Sequence, residues 1–269
     1  MASKITASRS PRGRLLTIEW VDALPSAAAY IEEIARHGGS DGYVVVTKDA
    51  PAPAAQDQKK QRPTTLSVSI LLRPSIPPDR AMMLSALGAL ALTRAIRRHS
   101  SHEPMIRWIS DIYAGKQWIG STSLRAALRP TGSFNYLLVN FSLLITPSFT
   151  GNLSDIVRSV FSQNRMTLPD QVAETLIGEF FALYEPFSTA DEKQTATLLD
   201  EYRDCSIPVR DARVRIWQNG VRIPATVVGI DDRARLVVTP RHGESIVLRS
   251  AAELYDPHRA RRQRKNENA

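Results

Sequence analysis

Alternation of apolar and polar residues recurs along the first half of the chain. A period of two is typical of strands with one buried face. Together with β-branched and aromatic composition it predicts strands over 15–21, 43–47, 66–72, 105–108, 112–113, 118–128 and 134–145. Gly115 and the turn-forming residues 130–132 separate the last of these segments. The pattern therefore predicts a β-sheet of several strands.

Helical spacing of apolar residues marks the connections. Residues 25–36 place Ile31 on an apolar face and end at a pair of glycines. Residues 80–98 are apolar almost all round, which predicts a buried central helix, and Asp79 is the expected N-cap. Further helices are predicted over 153–163, 170–184 and 190–202.

The pattern changes after Cys205. Short strands are predicted over 209–217, 223–230, 236–239 and 245–248, and tight turns at Asn219-Gly220, Asp231-Asp232 and His242-Gly243 separate them. Closely spaced short strands of this kind favour a small β-barrel. We therefore expect a domain boundary near 205–208.

The excess positive charge lies at the two ends of the chain. The net charge is +8 over 269 residues. Residues 1–14 hold four basic residues and no acid, and 258–269 hold five basic residues and one acid, so the chain between them is formally neutral. One interpretation is solvated, disordered tails, and the other is weak attraction to nucleic acid. Short charge runs are usually solvating, so nucleic acid is not the expected partner.

Several classes of protein are disfavoured. The longest apolar stretch, 81–92, is too short to cross a bilayer, and the N-terminus lacks the apolar core of a secretory signal. Cys205 is a single cysteine, so no intrachain disulfide can form. The histidines show no metal-ligand spacing, and no metal site is predicted from them. These features fit a cytoplasmic protein.

Three segments carry a resemblance to a known family. They are 67–97 (SVSILLRP, then AMMLSALGALALTRAIR), 106–120 (IRWISDIYAGKQWIG) and 198–205 (LLDEYRDC), the last followed by VVGIDDRARLVV. In order and spacing they resemble bacterial biotin–protein ligases, which are related to the lipoate ligases. The resemblance implies an α+β fold, in which a mixed β-sheet with flanking helices of the class II synthetase type precedes a small SH3-like barrel.

The resemblance also implies a domain organisation and a chemistry. The ligase-like domain is expected over 15–205 and the SH3-like domain over 206–256, with disordered basic tails at 1–14 and 257–269. The family uses ATP, Mg²⁺ and biotin to form an acyl-adenylate, which then reacts with a lysine of a carrier protein. A biotin carrier protein or carboxylase subunit is therefore an implied partner, and a second copy of the chain is another.

The family's phosphate-binding loop is altered here. That loop is rich in glycine and arginine, because glycine lets the backbone approach a phosphate and arginine neutralises it. The corresponding segment, 48–64, contains no glycine, and its cations are Lys48, Lys59, Lys60 and Arg62. The segment forms either a new anion-binding loop or a flexible, solvated loop. We favour the second, since polar runs of this composition are usually disordered.

The family's Lys-Trp-Pro-Asn-Asp motif is altered too. It becomes 107–111, in which Arg107, Trp108 and Asp111 keep a cation, the indole and the carboxylate. These three residues are candidates for binding substrate or nucleotide.

The catalytic lysine of the family falls at Gln117, three residues before Gly120. Lys116 is adjacent and is the candidate catalytic residue. In a regular strand it points to the opposite face, which would leave it a surface lysine; a β-bulge would change this.

Two further positions differ from the family. Its Ser-Thr-Asn cluster falls at Ala23-Leu24-Pro25, and its Gly-Ile-Gly-Ile-Asn strand falls at 140–144, where Phe141 and Leu143 are expected to fill ligand space. The scaffold persists while ligand-contacting positions change together. We therefore expect a catalytically impaired homologue with a binding or regulatory role. The alternatives are an active biotin or related acyl ligase, and a polyanion-binding protein that acts through its tails.

Overall fold

The computed structural model describes residues 3–22, 24–49, 65–100, 103–145, 169–189, 191–207 and 211–254. These residues form two β-sheets and four α-helices. The strands of the large sheet are β1 (Ser3–Arg9), β2 (Leu15–Val21), β3 (Tyr43–Asp49), β4 (Thr65–Leu72), β5 (Pro104–Arg107), β6 (Asp111–Ala114), β7 (Gln117–Leu128), β8 (Phe134–Leu144) and β9 (Ser206–Ile207). The helices are α1 (Ala27–Arg36), α2 (Ala81–His99), α3 (Pro169–Ser188) and α4 (Glu192–Asp204).

The large sheet is mixed. Its strand order is β1-β2-β3-β4-β8-β7-β6-β5-β9. The β2–β3 and β5–β9 pairs are parallel and the others are antiparallel. The predicted fold class, a mixed sheet with flanking helices followed by a small β-domain, is confirmed.

Helices cover the two faces of this sheet unequally. On one face α2 and α3 pack against a continuous apolar core that includes Val46, Ile70 and Phe141. On the other face α1 covers part of the surface, where Ile31 packs near Val45 and their neighbours. Because side chains alternate along a strand, each strand contributes to both faces. We call the first the apolar face and the second the polar face.

The small sheet consists of β10 (Arg213–Gln218), β11 (Val221–Ile230), β12 (Leu236–Pro240) and β13 (Ile246–Leu248), which pair antiparallel in that order. Their inward side chains, such as Ile216 and Leu236, are fully buried. Helix α4 contacts this sheet through the Arg203 guanidinium, whose Nε donates to the Ile230 carbonyl at 3.0 Å. The SH3-like description and the exact domain boundaries stay predictions.

Two expectations from the sequence are wrong. The segment 1–14 was expected to be disordered, yet Ser3–Arg9 pairs along its whole length with β2. Asp79 was expected to cap α2, but it lies in a short 3₁₀ helix, Pro78–Arg80, before the helix begins. Its carboxylate instead binds Arg233, in the turn between β11 and β12, at 2.7 Å.

Three predictions fall on residues outside the described part of the chain. They are the glycine-free segment beyond Asp49 with Lys59, Lys60 and Arg62, the helix over 153–163 and the C-terminal tail. Across the described ranges, no helix combines the length and apolar character needed to cross a membrane.

Candidate functional site

A row of four hydroxyl side chains crosses the polar face of the large sheet. Thr47 of β3 lies opposite Ser67 of β4, Ser67 lies opposite Ser142 of β8, and Ser142 lies opposite Ser121 of β7. Residues paired in register share a face, so the four hydroxyls project from the same side. We call these residues the hydroxyl row. Thr47 and Ser67 are buried, and the other two are half-buried.

The row continues into a charged and aromatic group. Ser121 lies opposite Asp111 of β6, and Asp111 lies opposite Arg107 of β5. The Arg107 guanidinium lies 4.2 Å from the centre of the Tyr113 ring and donates to the Tyr113 hydroxyl at 3.3 Å. The Trp118 indole donates to Asp111 Oδ1 at 3.2 Å. The structure therefore brings the candidates Arg107 and Asp111 together.

Tyr113 and Trp118 are not among the candidate residues predicted from the sequence, although each contacts one of the charged candidates. An aromatic residue two positions after Asp111 in the same strand was the available signal, because positions i and i+2 share a face.

Ser69 of β4 and Asn140 of β8 form a second polar pair, two residues along each strand from the hydroxyl row. Ser69 Oγ donates to Asn140 Oδ1 at 2.9 Å. Two buried atoms of this face, Asn140 Nδ2 and Thr47 Oγ1, have no hydrogen-bond partner among the described residues. Thr47 is only 1% exposed. Buried polar atoms are nearly always satisfied in folded proteins, so these two atoms are candidates for contact with a further group.

Glu19 closes the end of the polar face near α1. Its carboxylate accepts hydrogen bonds from the Tyr30 hydroxyl at 3.1 Å and the Tyr43 hydroxyl at 2.8 Å. Burial, followed by the hydrogen bond to Glu19, raises the pKa of Tyr43 well above its ordinary value. Both phenols therefore remain protonated donors, and Glu19 serves as their acceptor.

Lys116 lies in the two-residue turn between β6 and β7 and is exposed. The two strands contain a bulge: Ile112 pairs with Gly120 while Tyr113 pairs with Trp118, so Ile119 is an extra residue. Lys116 was expected on the opposite face only if the strand were regular, and the bulge makes the strand irregular. Its catalytic role stays a prediction.

Trp108 lies apart from the other candidates. It is 3% exposed, and its indole N–H donates to the Ala234 carbonyl of the small sheet at 2.9 Å. The backbone of the same turn is held by the Tyr202 hydroxyl, which donates to the Ile109 carbonyl at 2.9 Å. The contacts of Trp108 join the two sheets, and the structure does not bring its indole to Arg107 and Asp111.

This architecture matches solved structures, although its sequence matches no known family. No family model and no curated protein matches the sequence. Solved structures do match. A biotin protein ligase-like protein of unknown function from Silicibacter sp. TM1040 has a TM-score of 0.66 at 14% identity, over 90% of this chain and 96% of that one. The apo biotin protein ligase of Aquifex aeolicus has a TM-score of 0.66 at 14% identity, over 88% and 97%. The chain has the biotin protein ligase fold.

A further Aquifex aeolicus structure, in complex with biotin and ATP, has a TM-score of 0.64 at 12% identity, over 88% of this chain and 97% of that chain. At identities this low, the TM-scores establish a shared fold and nothing about activity. The resemblance found in the sequence is thus confirmed at the level of the fold.

From the sequence, Phe141 and Leu143 were expected to fill ligand space. Both lie in the core on the apolar face, where the Phe141 ring meets Phe180 of α3 edge-on at 5.6 Å. Asn140 and Ser142 of β8 face the polar side, together with Tyr136 and Leu138 nearer α1.

The resemblance aligns 23–25 with the family's Ser-Thr-Asn cluster, and Leu24 of this segment is part of the hydrophobic core. Leu24 is 7% exposed and packs in the same apolar cluster as Ile31 of α1. Its side chain offers no hydrogen bond to a ligand.

Lys48 also lies away from the hydroxyl row. Its ammonium binds the Asp170 carboxylate at 3.0 Å, at the rim of a cavity of about 790 Å³ between β1, β2, β3 and the first half of α3. This cavity is on the side of the apolar face, where Ile18 and Val46 line it. No cluster of three metal-binding side chains occurs in the ranges that the structure describes.

Proposed function

We propose that this protein is a catalytically impaired counterpart of the biotin protein ligases with a binding or regulatory role. The observation that carries the proposal is the chemistry of the hydroxyl row. Adenylation joins a carboxylate to a triphosphate, so its transition state needs positive charge aimed at the reacting oxygens. The row instead consists of neutral hydroxyls, and its one guanidinium at the end, Arg107, lies on the Tyr113 ring.

The positions that the resemblance assigns to catalysis support the same proposal. Gln117 stands where the family has its lysine, and Asn140 and Ser142 stand where it has glycines. An amide or hydroxyl side chain binds neutral groups well but supplies no charge. Asp111, the carboxylate next to the end of the row, already accepts from Trp118. The described residues of the row therefore do not fit ATP with Mg²⁺.

The activity is tested with the full chain in a biotin-dependent ATP–pyrophosphate exchange assay. We expect no exchange above the background without protein. Robust exchange that depends on biotin would contradict the proposal. Lipoate and octanoate serve as alternative acids, because an altered specificity would otherwise be mistaken for inactivity.

Binding is tested separately by thermal unfolding with biotin, lipoate, octanoate and ATP. A ligand that binds the native state raises the unfolding temperature. We expect Ser142→Ala, in the hydroxyl row, to abolish any such shift. The matched control is Ser123→Ala, an exposed serine in a neighbouring strand on the same face, which should leave the shift unchanged.

A second candidate is an active ligase that attaches biotin or a related acyl group to a lysine of a carrier protein. The bulge at Ile119 favours it, because it removes the condition that placed Lys116 on the opposite face. In this case Lys116 supplies the catalytic ammonium, with Arg107 and the cations at 59–62 as further contacts. Lys116→Ala should abolish transfer to a biotin carrier domain, whereas Lys193→Ala, which removes an exposed helical lysine, should not.

A further inference from the structure

The outer surface of the small sheet is unusually basic. Along β10, Arg213, Arg215 and Trp217 are exposed, and they alternate with the half-buried Val214 and the buried Ile216. Alternation puts the three exposed side chains on one face, away from the core of the small sheet. The exposed fraction of Trp217, 39%, is large for a tryptophan in a strand.

The next strand extends this surface. Arg222 of β11 lies opposite Trp217, and its guanidinium lies 4.8 Å from the centre of the indole ring. Pro224 lies opposite Arg215, and its carbonyl accepts the backbone N–H of Arg241 at 3.2 Å. A cavity of about 450 Å³ opens beside them, lined by Arg213, Pro224, Ala225, Thr226 and Arg241. We call Arg213, Arg215, Trp217, Arg222 and Arg241 the arginine face.

Like charges on neighbouring positions of a sheet repel one another. Some arginines elsewhere in the described chain bind carboxylates: Arg94 binds Glu201, and Arg235 binds Asp231 at 2.7 Å. In contrast, the side chains of Arg213 and Arg215 form no ion pair or hydrogen bond with any described residue. Uncompensated cations held close together on a rigid sheet indicate that an anionic partner binds there.

The total charge of the chain concealed this surface. The body between the tails is formally neutral because its acids balance its lysines and arginines in number. Asp231 binds Arg235 and does not compensate the arginine face. A net charge summed over the chain therefore does not show how charge is distributed over this surface.

We propose that the arginine face binds single-stranded nucleic acid. Guanidinium groups bind phosphate oxygens with two parallel hydrogen bonds, and the cavity between Arg213 and Arg241 adds the hydroxyl of Thr226. Trp217, with Arg222 over its ring, supplies a flat surface on which a base stacks. An acidic protein would use the charges but would have no use for the exposed indole, which is why nucleic acid is the partner that these residues favour.

The test measures the fluorescence anisotropy of a labelled thymidine oligomer of about 20 nucleotides with the full chain between about 50 and 200 mM salt. We expect R213Q/R215Q/R241Q to weaken binding at least roughly ten-fold. The slope of log K against log salt should fall by about two, since each phosphate contact on a single strand contributes roughly 0.7. The control, R36Q/R98Q/R125Q, removes three exposed arginines from the large domain and should change neither quantity.

A second variant separates nucleic acid from other polyanions. Trp217→Leu keeps the charge and should weaken oligomer binding roughly ten-fold, while binding of polyglutamate stays unchanged. Both variants should unfold at the wild-type temperature, which shows that the sheet is intact. The proposal is overturned if the wild type fails to bind the oligomer at low salt, if the control triple variant loses as much affinity, or if Trp217→Leu has no effect on the oligomer.

Discussion

The same strands form both faces of the large sheet, but one face forms the core and the other carries polar side chains. On the apolar face, Phe141 and Leu143 of β8 pack in the core beneath α2 and α3. On the polar face, Asn140 and Ser142 of the same strand join hydroxyls from β4 and β7. A shift of one residue in the pairing of β8 would exchange these sets, so the apolar core determines the register. The polar face receives its arrangement as a consequence.

Buried polar atoms without a hydrogen-bond partner among the described residues occur on both sides of the sheet. Thr47 Oγ1 and Asn140 Nδ2 lie on the polar face, and Thr93 Oγ1, Arg97 Nε and Glu185 Oε2 lie in α2 and α3. A buried polar group without a hydrogen bond destabilises the native state. The two atoms of the polar face differ from the others in lying beside the hydroxyl row, which makes them the groups to test for ligand binding.

The largest effect is expected at the apolar face. Phe141→Ala removes a buried ring that meets Phe180 edge-on at 5.6 Å. We expect the free energy of unfolding to fall by about 3–5 kcal/mol. Its neighbour in the strand, Ser142→Ala, should cost less than about 0.5 kcal/mol. Denaturant unfolding of both variants checks this, and equal losses would show that the two faces do not differ as described.

A smaller loss is expected at the second polar pair. Ser69→Ala removes the donor to Asn140 Oδ1 and leaves that acceptor without this bond. The expected loss in the free energy of unfolding is about 1–3 kcal/mol. Ser123→Ala, at an exposed position opposite Asn140, is the control and should be neutral. An unchanged stability for Ser69→Ala would mean that solvent replaces the bond.

A gain in stability is expected at Thr47. Valine has the same shape and lacks the hydroxyl that has no partner, so Thr47→Val should raise the free energy of unfolding by about 1 kcal/mol. The same variant should lose binding of any ligand found in the thermal-shift screen. A loss of stability would show that the hydroxyl is satisfied in solution, and the inference of a binding role for the row would lose its basis.

The smallest effect concerns the rim of the apolar face. The hydrogen bond and charge of Arg94 lower the pKa of Glu201 below its ordinary value of 4.5. The ionised carboxylate therefore stabilises the fold above about pH 4.5, and this contribution is lost as the pH falls through the folded pKa. Glu201→Gln should cost about 1 kcal/mol or less at pH 7. The difference from wild type in chemical unfolding should shrink towards pH 3, and a constant difference would contradict this assignment.

Elements with a clear hydrophobic pattern were predicted from the sequence, and elements without one were not. The strand at 15–21 and the helix that became Ala81–His99 were predicted almost to the residue, because both carry a continuous apolar periodicity. Strand β1 was missed, since its side chains are mostly exposed and its backbone pairing with β2 holds it in place. The role of Asp79 was missed because its partner, Arg233, is 154 residues away in the chain.

The candidate site was predictable only in its parts. Arg107 and Asp111 were found because they lie close together in a motif. Serines at alternate positions were visible in β4 and β7, and a single serine in β8, but nothing in the order of the chain says that β4 lies beside β8, or β8 beside β7. The bulge at Ile119 was equally hidden, because an extra residue in a strand leaves the composition unchanged.

Local periodicity thus determined the elements of this protein, their order and, through the resemblance, the ligase-like fold, because burial of apolar residues repeats with the geometry of strand and helix. The tertiary structure alone decided which polar residues meet. The hydroxyl row and the arginine face are both assembled across neighbouring strands, and strand order and register arise from packing of the whole sheet against its helices. The chemistry of the protein therefore depends on contacts between positions that are distant in the sequence.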